Sequence, residues 1–225
     1  MQVLLSGRRH FLRDKATWSP CDFDQVFERI TRKNTVGNQN VLTISAQHGL
    51  VGQRDFFNKS VASENLQGYT LLTRGDFAYN KSYSAGYPLG AIKPLLAYDA
   101  GVVSSLYLCF RLRPDAQADA DFFRHYFEAG TLNEEISGIA QEGARNHGLL
   151  NVSVTDFFKL RLHVPGLETQ RRIAEVINAA EAEELSIAAQ LDRLRQEKKA
   201  LMQDLLTGKR RVKLHASTDT VATPP

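Results

Sequence analysis

Residues 167–206 read LETQRRIAEVINAAEAEELSIAAQLDRLRQEKKALMQDLL, without a proline or a glycine. Ile173, Ile177, Ala180, Ile187, Leu191, Leu194, Leu201 and Leu205 form an apolar stripe, and with Glu184 and Lys198 included the steps alternate four and three throughout. That spacing predicts one continuous helix carrying the heptad seam of a coiled coil. Such a helix spans about 60 Å, more than the width of a small domain, so its stripe needs a partner beyond its own domain. An ordinary core helix is the alternative, but the seam is sustained and Gln, Glu, Asp, Arg and Lys fill the other faces. The two seam charges favour one orientation. In an antiparallel pair centred on Leu191, Glu184 meets Lys198 twice and Ile177 meets Leu205. In a parallel pair each charge meets its own kind, and a charge buried without a partner is costly.

Outward from this helix, its end recurs at the start of the chain. Met1-Gln2-Val3-Leu4-Leu5-Ser6-Gly7-Arg8-Arg9 matches Met202-Gln203-Asp204-Leu205-Leu206-Thr207-Gly208-Lys209-Arg210 at six identical positions, with Ser/Thr and Arg/Lys exchanges at two more. A repeat spaced by one domain length points to a tandem array whose unit is one globular domain plus one helix. On this reading residues 1–17 are the remnant of a preceding helix end, and a single unit restores the missing half by self-association.

At 225 residues, 43% hydrophobic and 24% charged, the chain is expected to fold as one ordinary domain with an extended element rather than to stay disordered. No apolar run reaches the length of a membrane span, and Arg8 and Arg9 follow too short an apolar stretch for a secretory signal. Cys21 and Cys109 are then expected to be reduced, and a cytoplasmic home follows. The net charge of +3 does not by itself identify nucleic-acid binding. The basic clusters at Arg8, Arg9, Arg13 and Lys15 and at Lys209, Arg210, Arg211 and Lys213 read as solvated faces, as do the acids between Asp115 and Glu142.

Between the repeats, Ser19 and Pro20 predict the cap and first residue of a short helix with Phe23, Val26, Phe27 and Ile30 on one face. Residues 31–40 predict a loop. Strands are expected at Val41–Ser45, Tyr69–Leu72, Asp76–Tyr79 and Leu106–Leu112, with Gly75 marking a turn, and at Leu160–Val164, ending at Pro165-Gly166. Asp119 predicts a helix start with Phe122, Phe123, Tyr126 and Phe127 inward, and a second helix is expected over Leu132–Ala140. Strands and helices mix without regular alternation, which predicts an irregular α+β domain over 18–164 rather than a doubly wound sheet. The Thr-, Ala- and Pro-containing residues 213–225 predict a disordered tail.

Val164-Pro165-Gly166-Leu167-Glu168-Thr169-Gln170-Arg171-Arg172-Ile173-Ala174 resembles the start of the spacer helix in specificity subunits of type I restriction-modification systems, with Gly166 and Thr169 departing from the usual proline and glutamate. Leu201–Lys209 resembles the end of that helix. Gly75–Asn80, Gly90-Ala91-Ile92 and Gly101–Tyr107 follow the order of its target-recognition domain. The resemblance implies a target-recognition domain over 18–164, a spacer helix over 165–212 and helices that pair antiparallel. Full-length members carry two such domains and two such helices, so this chain resembles a half-subunit, whether encoded as one or truncated. Two copies would read a bipartite inverted repeat on double-stranded DNA, with the helices as a ruler between half-sites.

The resemblance also implies a non-catalytic chain. S-adenosylmethionine, ATP and Mg would be used by a modification methyltransferase subunit and a restriction subunit, and this chain would hold no cofactor. No Asn/Asp-Pro-Pro-aromatic methyltransferase motif occurs, since Thr223-Pro224-Pro225 ends the chain, and Gly208-Lys209 lacks a phosphate-loop context. Glu197-Lys198-Lys199 mimics a nuclease fragment but falls on the heptad helix, and the six histidines show no metal-ligand spacing. Two glycine-flanked loops carry groups suited to base edges and phosphates. Lys81, Ser82, Ser84 and Tyr87 are the candidates in the first, and Arg145, Asn146 and His147 in the second, with Arg145 and Lys81 foremost. A regulatory or decoy half-subunit, binding the modification subunit without reading DNA, is the alternative.

Overall fold

The computed structural model describes Leu5 and residues 17–45, 48–56, 65–84, 86–142 and 150–211. In chain order these form β1 (Trp18–Asp22), α1 (Phe23–Val26), β2 (Phe27–Arg29), β3 (Leu42–Ser45), β4 (Gly49–Gly52), α2 (Gln53–Phe56), β5 (Thr70–Thr73), β6 (Phe77–Asn80), β7 (Ala91–Pro94), β8 (Ala100–Val103) and β9 (Leu108–Leu112). There follow α3 (Ala120–Glu128), α4 (Asn133–Ile139), β10 (Gln141–Glu142), β11 (Leu150–Asn151), α5 (Val154–Phe157), β12 (Arg161–Pro165) and α6 (Leu167–Leu206). The chain divides into two compact units, Met1–Ile177 and Asn178–Pro225.

The first unit is a mixed α+β fold. Its largest sheet is antiparallel with strand order β2-β9-β6-β7, and β1–β12, β3–β4, β5–β8 and β10–β11 add four two-stranded antiparallel ribbons. The period-two alternation of strands sorts the sheet residues into two cores. Phe77, Tyr79, Leu108 and Phe110 join Phe23, Phe27, Phe122, Phe123, Phe127 and Phe157 in one aromatic cluster, to which Leu5 also belongs. Ala78 and Cys109, pointing the other way, join Leu42, Leu50, Leu72, Leu95 and Val103 in a second. The aromatic rings interlock: Phe77 stacks on Phe110 at 5.5 Å, and Phe27 meets Phe110 edge-on at 5.1 Å. Each buried phenylalanine contributes about 1.5–3 kcal/mol through removal from water.

Several expectations hold with small shifts of boundary. Asp119 caps α3, its carboxylate accepting from the Phe122 amide at 2.9 Å, and Phe122, Phe123, Tyr126 and Phe127 are buried. Gly75 (φ +92°) makes the turn between β5 and β6, braced by Asp76, which accepts from the Thr73 amide at 2.7 Å. The two strands it joins belong to different sheets, because β5 pairs with β8 while β6 pairs with β7 and β9. The expected helix start at Ser19-Pro20 is corrected. Trp18–Asp22 is a strand paired with β12 in the register Pro20↔His163, and the helix begins only at Phe23. A two-stranded ribbon is all edge, so the missing amide of Pro20 is tolerated there. Helix α1 also ends at Val26, so Phe27, expected on its face, lies in strand β2 and Ile30 follows that strand. Strands β4, β7 and β8, helices α2 and α5 and the β10–β11 ribbon come in addition to the expected elements.

Helix α6 runs unbroken over 40 residues, the span read from the heptad pattern. Its first turns belong to the first unit, where Gln170, Ile173, Ala174 and Ile177 are buried. The second unit holds the remainder.

Candidate nucleic-acid interface

The loop between β6 and β7 is held from inside by its own backbone. Ser84 and Tyr87 exchange hydrogen bonds at 3.3 and 2.8 Å, the Gly90 amide donates to the Tyr87 carbonyl at 3.2 Å, and the Ser82 amide donates to the Asn80 side chain at 3.1 Å. The Tyr79 hydroxyl, reaching out of β6, donates to the Leu89 carbonyl at 2.7 Å. Gly90 (φ +82°) closes the loop where a Cβ would come within 2.2 Å of the Asn80 carbonyl oxygen, so only glycine fits.

Of the expected contact residues here, Lys81, Ser82, Ser84 and Tyr87 are half-buried, while the neighbouring Tyr83 is exposed. Tyr87 is anchored by its side chain. Its hydroxyl donates to Glu128 Oε1 at 2.5 Å and accepts from Lys93 Nζ at 3.0 Å. Lys93 also pairs with the other Glu128 oxygen, and its ammonium sits 4.7 Å from the Tyr87 ring centroid. Burial, reinforced by the Glu128 carboxylate, pushes the Tyr87 phenol above its ordinary value. Composition had marked the loop, but its supports Lys93 and Glu128 carried no motif.

The second expected loop meets the first at its base. The β10–β11 ribbon pairs Glu142 with Leu150, and the Leu150 amide donates to the Lys81 carbonyl at 3.0 Å. Arg145, Asn146 and His147 lie outside the described residues. Elsewhere on the domain, cations are matched with acids: Arg32 with Asp76, Arg74 with Asp99, Arg111 with Glu28 and Arg113 with Asp115. Among the described residues no cluster of His, Cys, Asp and Glu could hold a metal ion, and no helix is long and apolar enough to cross a membrane.

The expected helix seam falls into two parts. Ile173 and Ile177, 4% and 5% exposed, are packed into the aromatic core of their own domain. From Ala180 onward the seam is open: Ala180, Glu184, Ile187, Leu191, Leu194, Lys198 and Leu205 are exposed and Leu201 is half-buried. Leu191 and Leu194 present 46% and 61% of their surface, which is unusual for leucines in an apolar row on a stable helix.

No protein-family model matches the sequence, and no curated protein matches it. Solved structures do. The HsdS subunit from Thermoanaerobacter tengcongensis aligns with 90% of this chain and 49% of its own, at 15% identity and a TM-score of 0.50. The S subunit of a type I restriction-modification system from M. genitalium aligns with 89% of this chain and 48% of its own, at 14% identity and a TM-score of 0.54. The chain thus spans about half the length of each, and over that half its fold, a small mixed α+β domain followed by a long helix, is the fold of a type I specificity subunit.

Proposed function

We propose that this chain is a half-length, non-catalytic DNA-recognition subunit of a type I restriction-modification complex. The observation that carries the proposal is the alignment of nine-tenths of the chain with about half of two specificity subunits. The helix motifs around Gln170 and Leu205 and the open seam from Ala180 support it. Two copies pair antiparallel through that seam, Glu184 of one beside Lys198 of the other. Each domain reads one half of an inverted repeat through the loops at 81–87 and 143–148. The assembled dimer recruits the modification methyltransferase and restriction subunits, which bring S-adenosylmethionine, ATP and Mg, and the complex works in the cytoplasm.

The test is co-expression with a modification subunit of the same type, followed by mapping of methylated positions on genomic DNA. The expected result is co-purification and methylation at an inverted repeat with an unspecified centre. Co-purification with no methylated sequence and no footprint would assign the decoy role instead. Failure to co-purify would reject both.

A further inference from the structure

We infer that Lys93, Glu128 and Tyr87 form a clamp that fixes residues 81–84 and 86–90 of the loop in the shape in which they meet DNA, with Tyr87 a positioning residue rather than a base contact. The inference rests on the proposed recognition role of this loop and names what sets its geometry. The three residues come from three places: the loop itself, the edge strand β7 and the last residue of α3. Lys93 is only 7% exposed, yet it is a lysine, and its ammonium is satisfied by the Glu128 carboxylate, the Tyr87 hydroxyl and the Tyr87 ring.

An ion pair of this kind, with Lys93 buried and Glu128 partly exposed, adds little to global stability. What it does impose is geometry, since the buried Lys93 ammonium is satisfied where Glu128 and Tyr87 both reach it. That arrangement draws the Tyr87 side chain inward. The Tyr87 backbone then carries the constraint outward, through its two bonds to Ser84 and its carbonyl bond from Gly90. Lys81 to Ser84 are thereby presented on a backbone ordered before any ligand arrives, which removes an ordering cost from binding.

Two variants of the full chain test the clamp: Tyr87→Phe, which removes only the hydroxyl, and the double variant Lys93→Met/Glu128→Leu, which removes both charges together and so leaves no unpaired ammonium in the buried Lys93 position. Amide hydrogen exchange at Ser84, Tyr87 and Gly90 is measured without DNA. Wild-type protein is then used to select duplexes from a random pool, and affinity for the selected and for an unrelated duplex is measured for each protein. The expected result is exchange faster by about tenfold at these amides and selected-duplex affinity lower by about tenfold. Affinity for the unrelated duplex stays within about twofold, because non-specific binding depends on phosphate contacts rather than loop shape. Unchanged exchange would overturn the clamp. Faster exchange with an unchanged preference between duplexes would overturn its positioning role. If wild-type protein selects no sequence, DNA recognition itself fails and the positioning role with it, while the exchange data still report whether the loop is clamped.

Discussion

Gln170 shows how one side chain ties two elements together. It is buried, its Oε1 accepts from the Asp119 amide at 2.9 Å, and its Nε2 donates to the Pro165 carbonyl at 2.8 Å. Asp119 is also the cap of α3, so the start of α6, the end of β12 and the start of α3 share one hydrogen-bond chain within the first unit. Gln170→Leu keeps the volume and strands the part-buried Asp119 amide and the buried Pro165 carbonyl. It should lower stability by about 2–4 kcal/mol, read as a shift in urea midpoint at constant slope. The motif around Gln170 signalled a helix start in the sequence. Its partners did not, because Asp119 lies 51 positions away.

Cys109 makes a second prediction at the same scale. It is buried in the smaller core, and burial, with Asp76 nearby, pushes its thiol from an ordinary 9.0 to about 12. The unfolded chain therefore loses this proton at a lower pH than the folded one. The associated stability is intact below pH 9 and falls as pH rises from there toward about 12. Cys21, raised in the same direction chiefly by burial, adds to the slope. Urea midpoints should decline from pH 9 to pH 11, and Cys109→Val should flatten the decline. An unchanged slope would show that the thiol does not ionise on unfolding in that range.

Elements differ in how much of themselves they write into the sequence. Helix α6 was legible to both ends because its period repeats over many turns and nothing in it breaks a helix. Helix α3 was legible from a cap and an aromatic face. Strand β1 was not, because Ser19-Pro20 carries a strong local helix-start signal and its actual partner, β12, lies at the far end of the domain. Pairing across the domain prevailed over the local preference. Strands β4 and β7 are four residues each, bounded by glycine or proline, too short to show an alternation. The loop between β6 and β7 was visible through its Ser, Gly and Tyr content, whereas Glu128, 41 positions from Tyr87, becomes its neighbour only through the packing of α3 on β7.

For the whole molecule, the open question posed by the fold is what covers the seam. Ile173 and Ile177 serve the domain's own core, so the surface available to another helix begins at Ala180 and centres on Leu191. In the proposed antiparallel pair, Glu184→Lys places like charges beside Lys198 twice per dimer. Self-association should weaken by about tenfold or more, and adding Lys198→Glu should restore it. Sedimentation across a concentration series checks both. A double variant that associates no better than the single one would reject this register.

The ribbon β1–β12 sets Trp18 opposite Pro165, about 5 Å apart between Cα atoms, while Leu5 ahead of it and Ile173 and Ile177 beyond it pack into the same aromatic core. A segment transplanted at those two points would therefore have to bring a core that accepts Leu5, Ile173 and Ile177, so the exchangeable unit is wider than the ribbon that closes it.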